Sequence, residues 1–317
     1  MVELRRLGRS PVEVGPLSFG AASIAGLYTP VSEAQAADTI RTALDAGLRY
    51  LDTAPHYGAG LSEQRLGAAL AGRPRDSFVV ATKVGRRLRP RAAGERPDDS
   101  GFPGEPAYKR EWDWSRDGIR RTLEGSLERL GLDHVDIAYL HDPDDHEHLV
   151  YASAYPALAE LRDEGAVRAI GAGMNQTPML TRFVTRLDLD VVLCAGRYTL
   201  LERTAEADLL PACVERGVSV VIGGVFNSGL LAEPAPGARY NYAPVPGDVL
   251  ARALRLRDAC AVHGVPLAAA ALRFPLRHPA VATVLVGARS PAEVSADAAL
   301  VRHEIPDALW AGVAAAL

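Results

Sequence analysis

Residues 115–141, SRDGIRRTLEGSLERLGLDHVDIAYLH, decide the fold. The first half has helical period and stops at Gly131, the residue type that most readily closes a helix. The second half, VDIAYLH, is apolar on both faces, the pattern of a strand buried on two sides. It ends in His141. The same unit recurs along the chain. A helix over 33–46, closed by Gly47, leads into LRYLD, which ends in Asp52; FVVATK at 78–83 ends in Lys83. Further short apolar runs stand at 17–20, 168–171, 190–193, 218–222 and 283–286. Segments of helical period at 151–164, 204–216 and 249–263 lie between them.

Eight doubly buried strands alternating with helices predict an α/β fold, a closed (β/α)₈ barrel. An open doubly wound sheet would carry a GxGxxG turn after its first strand, and none occurs there. We read residues 1–317 as one barrel domain, opened by a short N-terminal β-hairpin. Two stretches, 84–114 and 225–247, are too long for simple connections. They hold Tyr108, Trp112, Trp114 and Tyr240 and are expected to form lids or binding walls at the C-terminal face.

Composition narrows the function. Of 317 residues 48% are hydrophobic, enough for a large core, and the net charge of −4 gives no basic face for nucleic acid. The arginines at 86, 87, 89 and 91 are followed closely by acids and read as a solvated loop. Cys194, Cys213 and Cys260 are too widely spaced for a zinc knuckle, and Cys194 follows an apolar run that belongs in the core. The N-terminus lacks the apolar stretch of a secretory signal, and no apolar run is long enough for a bilayer. A cytoplasmic protein without membrane or nucleic-acid partners is expected. Oligomeric state is not legible.

In a parallel barrel the active site lies where the strands end. Asp52, Lys83 and His141 sit at three successive strand ends, and Tyr57 follows in the loop DTAPHYG. An ammonium leaving an apolar run needs a partner, and Asp52 on the adjacent strand is the natural one. A tyrosine with an ordinary pKa near 10 handles protons poorly at neutral pH. A neighbouring ammonium favours its phenolate, so Lys83 is expected to lower the Tyr57 pKa. His141 can orient an oxygen of the substrate. The run from His141 to His148 is rich in metal-ligating types, but it is irregular and reads as a solvated loop; no metal is expected.

DTAPHYG with SEQRLG after it, then ATK, then LHDPD, resembles the aldo-keto reductase superfamily over nearly the whole chain. The resemblance implies a TIM-type barrel with Asp52, Tyr57, Lys83 and His141 as the catalytic tetrad. It implies a nicotinamide cofactor. Asn175 would hold the nicotinamide amide, and Phe226 would take the stacking place that Gly223-Gly224 leaves empty. Asn227, Ser228, Gly229 and Leu231 resemble the pyrophosphate loop, and Gly287, Arg289 and Ser290 the adenosine-phosphate loop. Glu293 and Asp297 on the next helix would not welcome a 2′-phosphate although Arg289 would, which favours NAD over NADP. WDWSRDGIRRTLEGSLERLGL, LHDPDDH, AGRYTLLE and GGVFNSGLL resemble the branch that oxidises D-threo-aldoses and L-fucose, with L-galactose oxidation more distant.

That branch implies oxidation of an aldose at C1 to the lactone, with Tyr57 as base. Trp112 or Trp114 would stack on the sugar, and His56, Asp142 and Arg197 would bond its hydroxyls. The same tetrad would serve pyridoxal oxidation or reduction of a small aldehyde or ketone. A nicotinamide-binding subunit without turnover also remains open. A Schiff-base aldolase built on Lys83 would leave Tyr57 and both phosphate loops unexplained.

Overall fold

The computed structural model describes residues 4–96, 101–102, 107–241 and 243–316. Within them eight parallel strands close into a barrel: β1 (Leu17–Gly20), β2 (Tyr50–Asp52), β3 (Val79–Val84), β4 (Ile137–His141), β5 (Ala169–Met174), β6 (Val191–Ala195), β7 (Ser219–Gly223) and β8 (Val281–Gly287). Each pairs with the next in sequence, and β8 closes on β1 with Val284 opposite Leu17 and Gly287 opposite Gly20. All eight lie where the apolar runs predicted them, and helices α1 (Glu33–Asp45), α2 (Leu61–Leu70) and α3 (Arg116–Leu130) precede β2, β3 and β4. Among the described residues no single helix is long and apolar enough to cross a membrane.

The decisive stretch folds as read. Helix α3 (Arg116–Leu130) starts at Ser115, whose Oγ accepts the Gly118 N–H at 3.0 Å, and ends at Gly131 with φ 63°. Ile119, Leu123, Ser126 and Leu130 form its buried face. In β4 successive side chains alternate across the sheet. Ala138 and Leu140 join the core between barrel and helices, whereas Ile137 and Tyr139 join the barrel interior. His141 continues the inward row. The same alternation puts Tyr50 and then Asp52 inward on β2, and Ala81 and then Lys83 on β3.

The lower end of the barrel is plugged. The expected N-terminal hairpin, Arg5–Arg6 against Glu13–Val14, brings buried Leu7, Val12 and Val14 onto Tyr50, Ile137 and Tyr139. Polar inward positions are therefore left to the upper, C-terminal end.

Two expectations change. The stretch 84–114 is not a solvated loop at its arginine-rich start: Arg86–Pro90 pairs antiparallel with Tyr108–Trp112, Arg86 opposite Trp112. Gly85, at φ 100°, turns the chain out of β3, and a Cβ there would fall 2.2 Å from the Trp114 ring. The stretch 225–247 also carries a two-residue hairpin, Arg239–Tyr240 against Ala243–Pro244. The three cysteines are buried and free.

Candidate active site

Strand ends bring the four predicted residues together. Lys83 Nζ donates to Asp52 Oδ1 at 2.5 Å, to the Thr53 carbonyl at 3.1 Å and to Tyr57 Oη at 3.0 Å. An ammonium has three hydrogens and no acceptor, so these contacts use it completely. Tyr57 Oη accepts from Lys83, which directs its own hydrogen elsewhere. The Tyr57 and His141 rings meet edge-on, with centroids 5.9 Å apart.

The motif SEQRLG explains why Tyr57 stands there. Tyr57 opens a short helical turn whose next residues, Gly58 and Ala59, have φ 61° and 52°. Helix α2 (Leu61–Leu70) follows and is bolted down on three sides. Ser62 Oγ accepts from Thr53 Oγ1 and donates to the Ala21 carbonyl. The fully buried Glu63 accepts from Thr82 Oγ1 and Arg129 Nε, each at 2.7 Å. Arg65 pairs with Glu33 and donates to the Val31 carbonyl. The motif is scaffold.

Electrostatics fix the protonation states. Burial alone would pull the Lys83 ammonium down, but Asp52 and Tyr57 reverse it and Lys83 stays charged. Burial pushes the Asp52 carboxyl up and Lys83 pulls it back; its Oδ2 has no partner among the described residues. Tyr57 corrects the sequence reading. Burial pushes its phenol up to about 12, and Lys83 recovers only part of that. His141 is held well below its usual range by burial, then by Arg86 and Lys83, and is neutral. The Asp142 carboxylate 3.6 Å from His141 Nε2 favours the hydrogen on that nitrogen.

A cavity of about 390 Å³ opens over these groups, bounded by His56, Tyr57, Phe102, His141, Asp142 and Asn175. Leu27, Tyr28, Asn175 and Ala195 line both it and a neighbouring cleft of about 700 Å³. Of the predicted cofactor residues, Asn175, Phe226, Asn227, Ser228, Gly229, Gly287 and Arg289 line that cleft. Asn227 Nδ2 is buried there without a partner, and a Cβ on Gly287 would fall 2.6 Å from Ser23 Oγ. Leu231 is buried, its N–H bonded to the Phe226 carbonyl. Ser290 caps the helix Pro291–Leu300 by accepting the Glu293 N–H. Glu293 accepts the Arg289 backbone N–H at 2.7 Å and its guanidinium at 3.1 Å. Asp297, one turn on, is pushed up to about 7 by burial and then by Glu293.

The predicted substrate residues divide. His56 and Asp142 line the cavity over Tyr57 and His141, while Arg197 lines the neighbouring cleft and bonds Asn241. Neither tryptophan reaches the cavity. Trp114 is 3% exposed beneath Gly85, and Trp112 stacks on it with centroids 5.5 Å apart. His146 packs against both indoles, at 5.3 and 5.8 Å. Phe102, Tyr28 and Arg86 were missed. The first two come from irregular loops without periodicity, and Arg86 was hidden in an arginine run. A cavity of about 710 Å³ at the other end of the barrel has arginines for walls. Arg273 and Arg302 there donate to the Val301 and Ala46 carbonyls at the C-terminal ends of two helices, Arg5 donates to the Val281 carbonyl, and Arg277 stacks on Trp310.

A closed parallel barrel with Asp52, Lys83 and Tyr57 hydrogen-bonded beside a neutral His141, under a cleft of about 700 Å³, fits an oxidoreductase. The chain belongs to the aldo/keto reductase family, whose model matches residues 16–317. Such enzymes use a nicotinamide cofactor on small-molecule substrates. D-threo-aldose 1-dehydrogenase of Pseudomonas sp is 48% identical over 95% of this chain and 93% of its own. Pyridoxal 4-dehydrogenase of Microbacterium luteolum is 40% identical over 97% and 95%. Among solved structures, the holo form of an aldo-keto reductase from Bacillus halodurans aligns with a TM-score of 0.82 and 30% identity, covering 100% of this chain and 96% of that one.

Proposed function

We propose that this protein oxidises an aldose at C1 to the lactone, with NAD as cofactor and Tyr57 as general base. The observation that carries the reading is the exhausted Lys83 ammonium. With all three of its hydrogens committed, Lys83 exchanges no proton with the cavity itself but donates to Tyr57 Oη and so favours the phenolate, which leaves Tyr57 as the group of the pair that takes up a substrate proton. His141 Nε2–H would donate to the C1 hydroxyl oxygen, and Tyr57, once its own proton has passed to solvent and Lys83 holds the phenolate, would take that hydroxyl's proton. When bound, an oxidised nicotinamide would supply the acceptor for the hydride from C1. Asn175, shared by cavity and cleft, would hold its amide, and the unpartnered Asn227 Nδ2 would meet the diphosphate.

The pairing of Arg289 with Glu293 supports NAD. A 2′-phosphate on the Arg289 guanidinium would sit beside the Glu293 carboxylate that already pairs with it. The 48% relative named for an aldose supports the substrate class. The relative named for pyridoxal marks a second substrate class for the same relay.

The test is NAD⁺ and NADP⁺ reduction with a panel of aldoses and pyridoxal, beside Tyr57→Phe. General acid–base catalysis contributes about 10²- to 10⁴-fold, so Tyr57→Phe should lose kcat by that much while still binding NADH. Full activity in Tyr57→Phe would sink the base assignment. Turnover of pyridoxal with no aldose oxidised would sink the sugar reading and leave the relay standing.

A further inference from the structure

The two tryptophans that do not reach the cavity support a residue that acts at its edge. Arg86 leaves β3 three positions after Lys83, turned by Gly85. Its guanidinium lies over the Trp112 ring, 4.3 Å from the centroid, and Trp112 is backed by Trp114. From that shelf one end reaches Asp142 Oδ2 at 2.6 Å and the other faces His56 Nδ1 at 3.4 Å. Asp142 follows His141 directly and is held at φ 45°, a left-handed conformation that aspartate tolerates but does not prefer. Among the described residues no hydrogen bond uses its other oxygen, Oδ1.

A guanidinium only donates, so the facing His56 Nδ1 accepts. His56 is neutral, held down at about 3 by burial, then by Arg86, Arg110 and Lys83, so its hydrogen sits on Nε2. The cavity wall therefore offers a carboxylate acceptor and an imidazole donor beside His141, both set by one cation that is absent from the lining itself. An acceptor and a donor together match a hydroxyl group, which is both. A plain carbonyl compound would leave the carboxylate without a partner.

We propose that Arg86 is a positioning residue: it holds Asp142 and His56 as an acceptor–donor pair for the substrate hydroxyl beside the reacting carbon, and so selects hydroxylated substrates over plain carbonyl compounds of similar size. The inference rests on the oxidoreductase relay and deepens the sugar reading. The groups facing Asp142 are Arg86 and Lys83, which lower its pKa, Asp144, which raises it, and His141 and His56, which are neutral. Removing Arg86 leaves burial and Asp144 less opposed.

The experiment compares the parent with Arg86→Met, Arg86→Lys, Asp142→Asn and Arg86→Met/Asp142→Asn. Each is assayed for oxidation of the best aldose and its 2-deoxy analogue, and for NADH-dependent reduction of glyceraldehyde and methylglyoxal. Arg86→Met should raise KM for the aldose and for glyceraldehyde about 10- to 100-fold, with kcat changed far less, and should act much more weakly on the 2-deoxy sugar and methylglyoxal. The acid limb of 1/KM should move to higher pH in Arg86→Met, return toward the parent in Arg86→Lys, and vanish in Asp142→Asn. Adding Arg86→Met to Asp142→Asn should cost less than Arg86→Met costs the parent, the remainder being the freed His56. Equal losses on all four substrates, or an undiminished Arg86 effect without the Asp142 carboxylate, would overturn the proposal and leave Arg86 as a packing residue. Glyceraldehyde against methylglyoxal reads selectivity even if no aldose is oxidised at C1, so failure of the sugar reading and failure of this one are told apart.

Discussion

Burying an ammonium is costly unless every hydrogen finds an acceptor, and Lys83, 2% exposed, finds three. Taking it away would leave the Asp52 carboxylate buried and alone. Lys83→Met should therefore lose about 3–5 kcal/mol of stability in denaturant titration, as broken buried pairs do, besides most of its activity. Adding Asp52→Asn should restore much of the stability and none of the activity. If the double variant is no more stable than Lys83→Met, Asp52 does not carry the cost. Asp52, Lys83 and His141 were legible because they stand at strand ends, where buried apolar runs stop at a polar residue, and Tyr57, in the loop after β2, through the resemblance carried by DTAPHYG. The Tyr57 proton was misread. Sequence shows which charges are near but not how dry the phenol is, and burial outweighs Lys83.

At the scale of elements, the motif that made the family recognisable turns out to be fastening. Glu63 ties β3, through Thr82, to α3, through Arg129, and so holds α2 under the catalytic loop. Glu63→Ala should strand the Arg129 guanidinium, 17% exposed, and cost about 3 kcal/mol. A urea midpoint unchanged in Glu63→Ala would show that Arg129 finds another acceptor. The barrel strands were legible because parallel strands covered on both faces read as continuous apolar runs. The hairpin Arg86–Pro90 with Tyr108–Trp112 was not, because its strands are charged and half-exposed, without the alternation that marks a buried sheet. Through Arg86, which lies over Trp112 and bonds Asp142, the hairpin is tied to the end of β4.

For the whole molecule, stability against pH sums opposing groups. His56 and His141 fold with depressed pKa values, so they contribute stability that is lost as pH falls below about 6.5, where the unfolded chain binds protons the native one refuses. Asp297 works the other way. Its folded value of about 7 lies above the unfolded value, so the native state loses stability as pH rises from about 4 to 7 and stays lowered beyond. Asp297→Asn should thus be more stable than the parent by roughly 1–2 kcal/mol at pH 8, after discounting for partial exposure, and about equal to it near pH 4. Melting temperatures across that range decide it; a difference that does not grow with pH would place the Asp297 proton elsewhere.

The plug at the foot of the barrel governs traffic. With Leu7, Val12 and Val14 sealing that end, the fold is a cup rather than a pipe. Whatever enters the cavity over Tyr57 and His141 must leave by the same rim, past the neighbouring cleft. Arrival and departure form a single queue, and a spent molecule lingering at the bottom holds up its successor.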